Sequence, residues 1–174
     1  MWAKVANYSQ ALKMKEKLKL FETDNGLTIT AKISSPPKLK LNNIPIEYRY
    51  SMEEVLEQKQ WDYPNIWSPL EYLTVIGLLR YGFIDDAKRI MEKSINANLK
   101  IFKKYKHLLE KMDGETGDKP KTYWYPTQLG FGWTNAIFYR YIKILEHLKN
   151  TNGNIYSDKD KIHEPPYSIT TLLH

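Results

Sequence analysis

The chain of 174 residues contains no cysteine. That excludes a disulfide framework and any thiolate-bound metal or cluster. Histidine is scarce: His107, His147, His163 and His174 are the four, and they show no metal-ligand spacing. No metal and no cofactor is therefore expected. No stretch approaches the run of roughly 18 apolar residues that crosses a bilayer, so no membrane association is expected. Met1–Val5 lacks the apolar run of a secretory leader, which sets the expected location as the cytoplasm. Arginine is sparse too. The net charge of +6 and the pI of about 9.2 are carried almost wholly by lysine. Lys13, Lys15, Lys17 and Lys19 alternate with Leu12, Met14 and Leu18, and Lys100, Lys103, Lys104 and Lys106 fall where a helix would face water. Lysine faces of this kind are ordinary solvated surface, so nucleic acid is not an expected partner.

What the chain does have is aromatic residues in two knots. Gln60-Trp61-Asp62-Tyr63-Pro64-Asn65-Ile66-Trp67-Ser68-Pro69 joins three rings to a carboxylate and two amides. Tyr123-Trp124-Tyr125-Pro126 and Phe131-Gly132-Trp133 form the second knot. Of the five tryptophans, Trp61, Trp67, Trp124 and Trp133 lie in these windows, so the rings are not spread evenly through a core. Flat apolar faces beside hydrogen-bonding side chains match a sugar, which presents C–H faces and a rim of hydroxyls.

The length and the 42% hydrophobic, 26% charged composition suit one globular domain. Residues 6–20 read as a helix. Asp24-Asn25-Gly26 is a turn signal before the β-prone Leu27–Thr30. Residues 32–47, with Ser34-Ser35-Pro36-Pro37, Asn42-Asn43 and Pro45, read as a loop excursion. A short helix runs from the capping box Ser51–Glu54 to about Gln58. Ser68-Pro69-Leu70-Glu71 repeats the capping pattern and opens a helix over 69–81 that is apolar almost all round, ended by Gly82. An amphipathic helix follows from Asp85 to about 108, with Ala87, Ile90, Met91, Ile95, Leu99, Phe102 and Tyr105 as its apolar stripe. After a polar loop over 113–121, the last helix runs from Thr134 to about 149, carrying Ile137, Phe138, Tyr141, Ile142, Leu145 and Leu148. Residues 151–174 form a polar tail. An all-round apolar helix followed by an amphipathic one is the alternation expected when an inner ring of helices is wrapped by an outer ring.

Three motifs together resemble the trehalases of glycoside hydrolase family 37. Gln60-Trp61-Asp62-x-Pro64-x-x-Trp67-x-Pro69 is similar to their second signature. Gln128-Leu129-Gly130-Phe131-Gly132-Trp133-Thr134-Asn135 is similar to their C-terminal aromatic motif. Leu109-Glu110-Lys111 stands between the two, where the family has its catalytic base in a Glu-Lys-Tyr context. The resemblance covers roughly 26–148. It implies an all-α fold, a partial (α/α)6 toroid made of about the last third of a glycosidase barrel. It also implies an inverting α-glycosidase in which Glu110 is the base. Trp61, Trp124, Phe131 and Trp133 would then face the sugar, with Gln60, Asp62 and Gln128 on its hydroxyls. There are departures. The family's general acid belongs to an earlier motif that this sequence does not contain. Trp124 stands where trehalases usually have a glutamate, Ile66 replaces a small residue, and Met112 replaces the tyrosine of Glu-Lys-Tyr. Glu110–Gly117 is equally similar to the family 63 glucosidases, which share the fold and the inverting mechanism, so the choice between trehalose and another α-glucoside stays open.

Plainer readings stand beside these. Trp67 is expected in the core and Trp61 on a sugar platform. Asp62 could simply cap a turn, Glu110 could be an ordinary helix-end glutamate, and Phe131-Gly132-Trp133 could be packing at a helix start. Trp124 could plug a pocket as readily as line it. Two functions follow. The chain is part of a split glycosidase, completed by a separate polypeptide with the upstream helices and the acid, or it is a non-catalytic remnant that keeps a sugar-binding platform. Exposed apolar surface on the inner helix predicts self-association or a partner chain either way.

Overall fold

The computed structural model describes residue 1 and residues 3–32, 60–121 and 125–153. The expected excursion beyond residue 32, the short helix over 51–58, Trp124 and the tail beyond residue 153 lie outside the described residues. Within them the elements are α1 (Tyr8–Lys17), β1 (Glu22–Thr23), β2 (Gly26–Leu27), β3 (Asn65–Ile66), α2 (Ser68–Arg80), α3 (Ile84–Tyr105), β4 (Met112–Asp113) and α4 (Gly132–Asn150). A single 3-10 turn, Leu18–Leu20, continues α1.

α1 begins in a capping box. The Asn7 side chain accepts the Gln10 N–H and the Gln10 side chain accepts the Asn7 N–H, both at 2.9 Å. The turn signal Asp24-Asn25-Gly26 makes a hairpin, with Glu22 opposite Leu27 and Thr23 opposite Gly26. Arg89 and Lys93 of α3 each reach Glu22 at 2.9 Å, and Lys93 also donates to the Thr23 carbonyl at 2.8 Å, so the hairpin is tied to that helix.

α2 is the centre of the molecule. Val75, Ile76, Leu78 and Leu79 are each at most 4% exposed and pack with Ala87, Ile90 and Met91 of α3 and with Tyr141, Ile144 and Leu148 of α4. Each fully buried aliphatic side chain here contributes about 2 kcal/mol of hydrophobic stabilisation. α2 stays open along one side, where Leu70 is 39% exposed. An apolar groove of about 710 Å³ runs between α1 and this side, lined by Met14, Leu18, Phe21 and Leu73 among others. Gly82, at φ +76, turns the chain from α2 into α3.

Two details of the helices depart from expectation. Ser68 does not cap α2: Trp67 is the N-cap and makes no side-chain capping bond. Glu71, expected to close that capping box, instead turns into the core and accepts the Leu27 N–H at 2.8 Å. The apolar face of α3 also runs differently in its second half. After Ala87, Ile90 and Met91 the buried positions are Ser94, Ala97, Asn98 and Ile101, while Leu99 and Phe102 are 41% and 50% exposed. Helical geometry carries the inner face through Ser94 and Asn98, because there α3 packs on a second cluster of Ile66, Leu109 and Met112. Asn98 satisfies one of its own polar groups on the Ser94 carbonyl at 2.9 Å. α3 stops at Tyr105, short of the expected 108, because Lys106 takes a left-handed conformation at φ 61.

β3 and β4 pair antiparallel, Asn65 with Asp113 and Ile66 with Met112. This small sheet joins the first aromatic motif to the segment that follows α3. Among the described residues no helix is long and apolar enough to cross a membrane.

Candidate functional site

Three chain segments meet where β3 runs into α2, where the chain leaves α3, and where it enters α4. Trp67 is 3% exposed, and its indole N–H donates to the Gln60 carbonyl at 2.9 Å. Trp61 stacks on it with ring centroids 4.1 Å apart and planes 13° apart, leaving Trp61 48% exposed. On its other side Trp67 meets Trp133 at 5.7 Å, and Trp133 meets Phe131 at 4.4 Å. The two motifs thus form one row of rings: Trp61, Trp67, Trp133, Phe131. The outer members are at least partly open to solvent, whereas Trp67 is a core position.

The Glu110 backbone is fastened beneath this row. Its carbonyl accepts the Trp133 indole N–H at 3.1 Å and the Thr134 hydroxyl at 3.4 Å. Its N–H donates to the Gln128 carbonyl at 3.0 Å, and the bridge between Leu109 and Leu129 continues that pairing. The carboxylate is 2% exposed. Oε1 accepts the Tyr125 hydroxyl at 2.9 Å, and Oε2 lies 3.7 Å from the Lys111 ammonium. Lys111 is itself buried, with its ammonium 4.3 Å from the Tyr125 ring centroid and 5.3 Å from that of Trp67. Burial pushes the Lys111 ammonium below the usual lysine range, and Glu110 opposes that shift.

The other expected residues fall around the row unequally. Gln60 uses its carbonyl to hold Trp67, and its side-chain Oε1 is buried and accepts no hydrogen bond among the described residues. Asp62 is partly buried at the turn before β3, where its carbonyl accepts the Asn65 N–H at 2.9 Å. Gln128 is exposed; its backbone pairs with Glu110 and its side chain reaches the Pro126 carbonyl at 3.5 Å. Trp124 lies outside the described residues. Lys111 and Tyr125, which both meet the carboxylate, carried no expected role. Lys111 directly follows Glu110 in the motif and Tyr125 directly precedes Pro126, so both stood in view without any periodicity to mark them.

Ring faces beside a carboxylate can lie against the C–H faces of a sugar and bring an acid–base group to a reacting centre. Among the described residues no group of three or more His, Asp and Glu is arranged to hold a metal ion.

A family model described as Trehalase matches residues 1–148. The chain belongs to the trehalase family. It is 34% identical over 88 residues to the periplasmic trehalases of Salmonella paratyphi B and Salmonella newport, a stretch that makes up 50% of this chain and 15% of each relative. The solved neutral trehalase of Saccharomyces cerevisiae is 28% identical with a TM-score of 0.57, and the match covers 87% of this chain and 24% of that one. The chain therefore spans a small part of the length of the relatives it matches. Its helices are those of a partial (α/α)6 glycosidase toroid. The family match also begins before residue 26, so α1 and the hairpin belong to the trehalase pattern. The expectation of a cytoplasmic location is overturned, because the Salmonella relatives are periplasmic trehalases. The missing apolar run at Met1–Val5, on which that expectation rested, says nothing about address in a chain spanning so little of its relatives.

Proposed function

We propose that this chain is the base-bearing portion of an inverting trehalase-like α-glycosidase, acting on trehalose or a related α-glucoside. Glu110 is the base. It takes a proton from a water molecule as that water's oxygen attacks the anomeric carbon, while a general acid on the opposite face, roughly 6.5–9.5 Å away, protonates the departing glycosidic oxygen. The acid comes from the upstream helices of the barrel, carried by a separate polypeptide. Trp61, Phe131 and Trp133 offer ring faces to the sugar, and Gln60, Asp62 and Gln128 bond hydroxyls. The observation that carries this reading is the continuous contact from Trp61 through Trp67 and Trp133 to Glu110. The open side of α2 and the apolar groove beside it support association with that polypeptide or with a second copy of the chain.

A second reading is a sugar-binding module without turnover. The observation favouring it is the shielding of Glu110, whose Oε1 is taken up by Tyr125 while Trp61 and Trp133 stay open. One experiment separates the two. Glucose release from trehalose is measured for this chain alone, for the upstream polypeptide alone, and for the two together. Turnover only in the mixture, lost in Glu110→Gln, supports the glycosidase. Tryptophan fluorescence quenching by sugar with no turnover in any mixture supports the binding module.

A further inference from the structure

We propose that Lys111 is the positioning residue of Glu110: its ammonium is the counter-charge to the carboxylate, and its buried stem fixes the direction in which Oε2 faces. The inference rests on Glu110 being the base named above.

A lysine side chain with none of its surface exposed is an uncommon and costly feature. Structural need does not account for it here. Among the described residues the ammonium makes one direct hydrogen bond, to the Tyr125 carbonyl at 3.3 Å, and otherwise meets two ring faces and Glu110. An apolar side chain of the same length would fill that space at less cost. What an apolar residue would not supply is a positive charge 3.7 Å from Oε2. That distance is too long for a hydrogen bond and short enough for strong Coulomb attraction in a shielded setting. The two carboxylate oxygens are thereby made different. Oε1 is filled by the Tyr125 hydroxyl, whereas Oε2 is buried and accepts no hydrogen bond among the described residues. The nearby cation keeps the carboxylate ionised, and the empty lone pairs leave Oε2 as the oxygen that can receive a proton from a bound water. Among the described residues, the ionisable groups that face the carboxylate are Lys111 and the Tyr125 phenol. The start of α2 contributes Trp67 and the start of α4 contributes Trp133 and Thr134, none of which titrates.

The test begins on the whole chain, without any enzyme assay. The Lys111 side-chain NMR signal is titrated in the native chain and in Glu110→Gln. Removing the facing charge is expected to lower the Lys111 midpoint by about one to three pH units. An unchanged midpoint overturns the proposal. Should Glu110→Gln fail to fold, Glu110→Asp, which withdraws the carboxylate by one methylene, is expected to lower the midpoint by a smaller amount. In the assembled enzyme, Lys111→Met is expected to cut kcat by about tenfold to a hundredfold and to move the acidic limb of the pH profile upward, with KM nearly unchanged and partial recovery in Lys111→Arg. A Lys111→Met enzyme with native kcat and pH profile overturns the proposal. Coupled titration without turnover in any assembly would instead remove the glycosidase reading and leave the pair standing.

Discussion

Glu71 and Glu110 are buried to the same degree, each 2% exposed, yet they meet different neighbours. Glu71 points from α2 into the helical core. Its Oε2 accepts the Leu27 N–H, Gly26 is pressed against the same oxygen, and the Ser94 and Tyr141 hydroxyls lie close by. Burial raises its pKa from the ordinary 4.5 to about 7, partly opposed by those hydrogen-bonding groups. Burial, and then the Glu71 charge, pushes the Tyr141 phenol well above the usual tyrosine range. Glu110 sits in a loop under the ring row and has an ammonium beside it. Buried depth alone therefore does not tell a carboxyl group's task. Within helices and among hydroxyls it acts as a strut that ties the hairpin to α2. Beside a lysine and a platform of rings it is the base proposed above.

The sharpest way to break this contrast is to neutralise each carboxyl in turn. In the assembled enzyme, Glu110→Gln is expected to lower kcat by about a thousandfold, and leaving Lys111 without its counter-charge is expected to lower the chain's thermal midpoint as well. Intact turnover with lost stability would make Glu110 the strut. Glu71→Gln should leave sugar binding alone and change how stability depends on pH. The folded chain favours the protonated acid, so between about pH 4.5 and about pH 7 it holds more protons than the unfolded chain. Stability therefore falls as pH rises through that window, by about 3 kcal/mol from this group. Urea unfolding at a series of pH values should show the slope in the native chain and a flatter line in Glu71→Gln; parallel lines would mean Glu71 keeps its ordinary acidity. Gly26→Ala is expected to cost about 1–3 kcal/mol, because Gly26 sits at φ +138 and a Cβ there would run into Glu71 Oε2. Denaturant midpoints check it, and a neutral result would show that the hairpin can move off α2. The smallest effect belongs to the outermost ring. Trp61→Ala should weaken sugar binding by about tenfold, read by calorimetry, with about 1 kcal/mol or less lost in stability. Equal affinity would take Trp61 out of the platform.

Much of the helical layout was legible because it depends on local rules. The all-round apolar run in α2, the proline just inside its start and Gly82 beyond its end are written into neighbouring residues. The aromatic motifs and Glu110 were legible through family resemblance, and the ring contacts gather them into one group. What was not legible depends on distant partners. Glu71 looked like a capping residue because Leu27, its real partner, is 44 positions away. The two-residue strands Asn65–Ile66 and Met112–Asp113 are too short to show any alternation. Leu99 and Phe102 suited a helical stripe as well as Ser94 and Asn98 did, and only the packing of Ile66, Leu109 and Met112 decides which face turns inward.

The pairing of Asn65 with Asp113 and of Ile66 with Met112 has a consequence for assembly. It clamps the tryptophan motif to the glutamate segment through paired backbone. The two motifs are thus cast as one piece, so neither can shift without carrying the other along.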